Sequence, residues 1–415
     1  MTARARDAGY DAAIIGAGPA GSAAAILLAR AGWSVALVEK QRFPRRKVCG
    51  ECIAASNLPL LDGLGLGAAM DRDAGPELRC VALMRGDAVA LAAMPTADAR
   101  HPWGRALGRE TLDVLLLDAA RRAGATILQP CTVTAIAGGP GNWQLSARSA
   151  EGPLTVQSSI AIAAHGSWEA LPSGRARRRQ SRTGADLFAF KANFRGAKLV
   201  PGCLPVLALD GGYGGMVVAE GGVLTLACCV RRDRLDALRA QAPGQRAGEA
   251  VENWLRRQCD GVDRALAGAQ RDGAWLASGP IDPGVRVRPN DRLLRIGNAA
   301  GEAHPILGEG ISMALQSAGL LCEQLLGGVT ADQRADTAWQ AAIARQYAVR
   351  WRSQFAPRLR LGALVAHLAM RPASARAIML LARAWPGMLT WSARMGGKVR
   401  CAPDPALYGW VGRAP

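Results

Sequence analysis

The sequence predicts an α/β protein in which a Rossmann-like nucleotide-binding domain is interleaved with a second β-sheet unit and followed by a helical C-terminal region. Three observations carry that expectation: a strand–glycine–helix–strand unit over residues 11–39, an arginine-led amphipathic helix from Arg109, and a second glycine-rich loop between Asp291 and Leu315. The first unit reads Asp11-Ala-Ala-Ile-Ile-Gly16-Ala-Gly18-Pro-Ala20-Gly21, runs into an alanine-rich helix, and is answered by Val35-Ala-Leu-Val-Glu39. An apolar strand precedes the glycines, and the acid ends the next strand at about the 20-residue separation that ribose recognition requires. Gly16 permits the tight turn, Gly18 lets backbone amides approach a pyrophosphate, and Gly21 lets helix and strand pack closely. The helix from Pro19 aims its free N–H groups and positive dipole end at phosphate, with Ala20 in its first turn. Glu39, followed by Lys40, accepts hydrogen bonds from the ribose hydroxyls.

Further along, Arg105-Ala-Leu-Gly-Arg109-Glu-Thr-Leu112-Asp113 opens an amphipathic helix that continues to Gly124. Strand patterns follow at residues 126–128, 132–136, 143–147 and 160–164, with Val133 expected beside the nucleotide. The run Asp291-Arg-Leu-Leu-Arg-Ile-Gly297-Asn298-Ala-Ala-Gly301-Glu-Ala-His304-Pro305-Ile-Leu-Gly308-Glu309-Gly310-Ile311 reads as strand, glycine-rich loop and helix. A second helix N-terminus here is suited to stabilising negative charge on a ligand.

Together these motifs resemble the flavoproteins built like para-hydroxybenzoate hydroxylase, which include geranylgeranyl reductases and flavin-dependent tryptophan halogenases. The resemblance spans roughly residues 10–330 and implies a Rossmann-like FAD-binding domain with an interleaved β-sheet substrate domain. It places the ADP half of FAD on the first motif, gives Arg109 a supporting role, and wraps the ribityl chain and flavin with Asn298, Gly308, Glu309, Gly310 and Ile311. Lys47-Val-Cys49-Gly50 resembles a flavin-lining stretch of the geranylgeranyl reductases. Implied boundaries are 1–75, 105–175 and 275–330 for the FAD domain, 76–104 and 176–274 for the substrate domain, and 331–415 for the helical region.

Two positions depart from the family pattern. Ala163-Ala-His165-Gly166-Ser167-Trp168 stands where self-contained aromatic hydroxylases carry Asp-Gly, and Gly297-Asn298 replaces Gly-Asp. Asparagine still hydrogen-bonds a ribityl hydroxyl. NADPH docking on the same polypeptide is thereby put in doubt, so FAD is expected to be reduced by NAD(P)H directly or through a separate flavin reductase. The Trp-x-Trp-x-Ile-Pro signature of halogenases is missing, with Gly212-Tyr-Gly-Gly-Met-Val-Val as the nearest counterpart.

Composition bounds the remaining choices. With 415 residues, half of them hydrophobic, the chain can bury a large core in two or three units. No signal-peptide pattern or membrane-length apolar run is seen, so a cytoplasmic location is expected. Ten scattered cysteines read as core thiols. Cys49-Gly-Glu51-Cys52 lacks the second CxxC that zinc needs and the second dinucleotide motif that a dithiol relay needs, so no metal is expected.

Net charge is +18, nearly all from arginine. The positive field suits an acidic carrier or client protein presenting the substrate, or peripheral contact with an anionic membrane, and no nucleic-acid motif accompanies the densest cluster, Arg175–Arg182. Arginines mixed with apolar stretches at 358–368 and 377–385 suit a lid or partner-binding helix, or helices packed on the protein's own core.

The favoured activity is hydroxylation of an electron-rich ring, a phenol or an indole, including a tryptophan presented by another protein on its way to a quinone cofactor. Reduction of isoprenoid or polyene double bonds is the main alternative, ahead of halogenation and a non-catalytic flavin-binding role. Lys47, Glu51 and His304 are the candidate catalytic residues: Lys47 to pair with phosphate or flavin, Glu51 as a base or a turn cap, His304 as a proton donor or a packing residue.

Overall fold

The computed structural model describes residues 9–167, 171, 183–327 and 330–399. The basic cluster at 175–182 lies outside them. The apolar run Gly9–Ile15 is buried on both faces, as expected of a strand inside a parallel sheet. It pairs in parallel with Val35–Val38 and with Gly152–Ala163. The full sheet runs Thr126–Leu128, Val35–Val38, Gly9–Ile15, Gly152–Ala163, Asn142–Ser149 and Cys131–Gly139, with Leu294–Arg295 also set against Gly152–Ala163. The last of these brings the second glycine loop beside the first.

Helix Pro19–Arg30 is alanine-rich because it is enclosed: it packs against helices Arg109–Arg122 and Gly310–Leu325, and small side chains allow that approach. A Cβ on Gly21 would fall on the Gly16 carbonyl, so the close-packing role expected of that glycine is met literally.

The second sheet runs Gln270–Ile281, Leu187–Arg195, Leu224–Arg231, Gly212–Val218, Cys203–Leu209, Cys80–Arg85 and Ala88–Ala93. Strands Cys80–Arg85, Leu187–Arg195 and Leu224–Arg231 thus join one sheet although more than 100 residues separate the first two. One expectation needs correction: the interval 176–274, expected as part of an interleaved β-sheet domain, is not sheet alone. Helices Arg232–Gln241, Ala247–Gln258 and Asp260–Leu266 cover this sheet's outer face. Ala250, Val251, Trp254 and Leu255 give the middle helix a buried stripe at helical spacing, a period hidden among charged residues.

The C-terminal region is helical, with Thr337–Ala369, Pro372–Ala384 and Gly387–Met395. No single helix among the described residues is long and apolar enough to cross a membrane.

Candidate cofactor and substrate site

Two adjoining cavities form a groove between the sheets. The smaller, about 70 Å³, lies over the carboxyl ends of the parallel strands and is lined by Gly16, Gly18, Glu39, Lys40 and Val133, with Arg45 and His165. That is where open α/β sheets take a nucleotide. Glu39 is buried and already oriented: its carboxylate accepts from the Ala17 and Gln41 amides, each at 2.9 Å, and stands 3.5 Å from Arg45.

Gly18, Lys47 and Ala164 are shared with the larger cavity, of about 260 Å³, so the groove is continuous. Its near wall holds Ala20, Cys49, Gly50, Glu51 and Arg109, and its far wall Asn298, His304, Gly308, Glu309, Gly310 and Ile311. Of the residues expected at the site, Gly21 alone does not line the groove; it packs behind the loop.

The groove suits a dinucleotide on its own geometry. A Cβ on Gly18 would meet only Arg109 Nη2, at 3.8 Å, and on Gly50 or Gly310 nothing within 4 Å, so backbone faces open space at all three. Helices Pro19–Arg30 and Gly310–Leu325 both begin here without a side-chain cap, leaving first-turn N–H groups available to an anionic ligand.

Arg109 is fixed by a bidentate pair with Asp113, both bonds at 2.8 Å. Burial opposes its charge, but the Asp113 carboxylate outweighs that and holds the guanidinium above its ordinary pKa. Asn298 donates to Ser167 Oγ at 2.7 Å, which turns its amide toward the loop after strand Gly152–Ala163, where His165 lies.

Glu51 is not an idle carboxylate. It sits at φ 58°, 2% exposed, accepts from the Arg109 amide at 2.9 Å and from Thr225 Oγ1 at 2.5 Å, and is ion-paired with buried Lys191. This binding arm ties the Cys49–Cys52 loop to the substrate sheet through strands Leu187–Arg195 and Leu224–Arg231. Cys49 and Cys52 are both free thiols, and burial pushes the Cys52 thiol up, partly offset by nearby Lys398.

Lys398 was invisible to motif reading. It reaches Glu309 at 3.2 Å and the Gly308 carbonyl at 3.2 Å from the last described turn of the chain. Burial lowers its pKa, but Cys52 and Glu309 together raise it above the ordinary value. A compositional signal did exist: the chain has five lysines among its 51 basic residues, and Lys47, Lys191 and Lys398 all come to this site.

Where the groove enters the substrate sheet its walls turn apolar, with Phe190, Leu204, Val206, Met216, Ile281 and Ile306. His304 stands among them, with Nδ1 at 3.4 Å from Tyr213 Oη and the rings edge-on at 6.5 Å. Burial lowers the His304 pKa below its ordinary 6.5, which keeps the imidazole neutral near pH 7. Burial likewise keeps the Tyr213 phenol protonated.

These features define a flavoprotein, and comparison with known proteins agrees: residues 9–184 match the family described as FAD binding domain. That match supports FAD as the cofactor, and the chain is similar in fold to the para-hydroxybenzoate hydroxylase-like FAD-dependent oxidoreductases. It is 27% identical over 358 residues to the menaquinone reductase of Mycolicibacterium smegmatis, covering 81% of each chain. It is also 27% identical over 337 residues to conditioned medium factor receptor 1 of Dictyostelium discoideum, covering 75% of this chain and 62% of that one. The chain therefore spans less than two thirds of the Dictyostelium protein. Among solved structures, the flavin-dependent brominase Bmp2 superposes with a TM-score of 0.71 at 19% identity over 97% of both chains, a likeness of fold.

Proposed function

We propose that the protein is an FAD-dependent monooxygenase that hydroxylates an electron-rich ring of phenol or indole type. The observation carrying this reading is the neutral His304 in the wall of an apolar cavity next to the flavin loop. When bound, FAD supplies reducing equivalents to molecular oxygen and, through it, an oxygen atom to the ring. The chain's own residues position and prepare the substrate. Phe190, Leu204 and Met216 surround an aromatic ring and exclude water. With His304 Nδ1–H donating to Tyr213 Oη, Nε2 is left to accept the O–H or N–H proton of the substrate, which enriches the ring in electrons. Tyr213 in turn bonds to the Cys229 sulfur, which favours that tautomer. Arg109 and Lys47 hold the anionic part of the cofactor, and Glu51 braces the loop between them. The client is a free or carrier-borne ring; the acidic-partner reading rests on the net charge of +18.

A second reading, reduction of an isoprenoid or polyene double bond, is favoured by the alignment with a menaquinone reductase over 81% of both chains. One experiment separates them. FAD-loaded protein, reduced with dithionite, is exposed to ¹⁸O₂ with a panel of alkylphenols and indoles, and in parallel to a prenylated quinone without oxygen. Labelled oxygen in a ring product is the expected result. Oxygen-independent loss of a prenyl double bond, with no labelled product, overturns it in favour of the reductase.

A further inference from the structure

We propose that helices Pro372–Ala384 and Gly387–Met395 form a docking face for an anionic lipid bilayer, lying on its surface. The first of these helices is apolar on both its inner and its outer face. Its inner stripe, Ala375, Met379 and Ala382, is buried against the protein. Its outer stripe, Ala373, Ala377, Leu380, Leu381 and Ala384, follows the i, i+4, i+7, i+8, i+11 spacing of one helix face, and every member is exposed. Leu380 is 67% and Leu381 53% exposed, and the face continues through Trp385 at 60%, Trp391 at 56% and Met395 at 45%. A soluble helix would place charges there. Contiguous exposure of this kind marks an interaction surface.

The charges around the face identify its occupant. Between Asp336 and Asp404 the sequence contains no acidic residue, while Arg360, Arg371, Arg376, Arg383 and Arg394 in this stretch are all exposed. None of the five forms an ion pair among the described residues. Arg376 and Arg383, seven positions apart, border the apolar stripe along one side, as basic residues do on helices that lie in a headgroup layer. Two tryptophans at the junction and on the second helix suit the same depth. The outer stripe carries only aliphatic side chains, with no donor or acceptor to recognise a protein partner, so lipid is the better match.

The face is also close to the substrate cavity. Ala375, Met379 and Ala382 share a packed cluster with Val206 and Ile306, and those two side chains line the cavity. One layer of residues separates the outer helix from the space beside the flavin loop.

The test is flotation of the full-length FAD-loaded protein with vesicles of phosphatidylcholine alone, or with about one-third phosphatidylglycerol. Binding to the anionic vesicles and not to the neutral ones is expected. Leu380→Ser with Leu381→Ser, and separately Arg376→Gln with Arg383→Gln, should each lower that binding about tenfold or more while leaving flavin content unchanged. Arg239→Gln with Arg257→Gln removes the same charge from the far helices and should change binding little. Equal losses in the control and the patch variants would reduce the effect to net charge and overturn the proposal, as would absence of binding to anionic vesicles at low salt. Binding that appears only after residues 400–415 are removed would make that segment the occupant and overturn it too. Capture of an acidic protein through the leucine pair, without vesicle binding, would replace the lipid with a protein.

Discussion

The loops at Gly16–Gly21 and Gly297–Gly310 both deliver glycines to an uncapped helix N-terminus, yet they differ in the side chains that surround them. The first carries no ionisable side chain of its own: its helix has no acid in the first turn, and it binds through backbone and the distant Glu39. The second places His304 and Glu309 in the cavity wall and has Lys398 brought across to it. The first loop is thus a matter of shape, while the second is a matter of charge as well. Mutations at the first should act on occupancy, and mutations at the second on pH and rate.

The largest expected effect tests the shape argument. Gly18 has φ −69°, open to any residue, and room for a Cβ, so Gly18→Val should fold normally yet lose bound flavin completely because the side chain fills the pyrophosphate path. Flavin absorbance beside far-UV circular dichroism measures both; stoichiometric FAD in this variant would break the comparison.

The next lies between the loops. Lys191→Met leaves Glu51 charged and buried without its partner, and breaking such a pair costs about 3–5 kcal/mol. A matched fall in the urea midpoint is expected, with partial recovery on adding Glu51→Met; no recovery would mean the two side chains act independently.

Glu39→Ala should weaken FAD binding by about 1.5–3 kcal/mol, the range for hydrogen bonds to a charged group. Titration of the apoprotein with FAD reads it, and an unchanged affinity would show that the Ala17 and Gln41 amides, not the ribose, are the carboxylate's main partners.

The smallest effect tests the charge argument at the second loop. Because the His304 pKa is lowered in the folded protein, the unfolded chain binds the extra proton first; this site's contribution to stability is present above about pH 6.5 and declines as pH falls below it. Turnover should fall over the same acid range, and His304→Gln should flatten that limb in both the denaturation and the rate profiles. A limb unchanged in the variant would assign it to another group.

The two regions also differed in how far the sequence disclosed them. A backbone-made site leaves its mark in consecutive residues, so Gly16, Gly18, Gly21 and Glu39 could be read from spacing alone, and the second loop from the same grammar. The side-chain partners come from far along the chain: Lys191 is 140 residues from Glu51, and Thr225 is 174. Strand periodicity can place Lys191 inward in Leu187–Arg195 but does not say which carboxylate waits there. The helices at 232–266 escaped notice because dense charge masked their apolar stripe, and the outer apolar face of Pro372–Ala384 read more readily as core.

Ser56 donates two bonds to the Gly397–Lys398 turn, from N to the Lys398 carbonyl and from Oγ to the Gly397 carbonyl, each at 3.2 Å, while the Lys398 ammonium holds the loop at Gly308 and Glu309. A late turn of the chain thus clasps the two walls of the flavin end together. Closure of this end therefore rests on a contact spanning 341 residues of chain, so that loosening either position is felt at both walls.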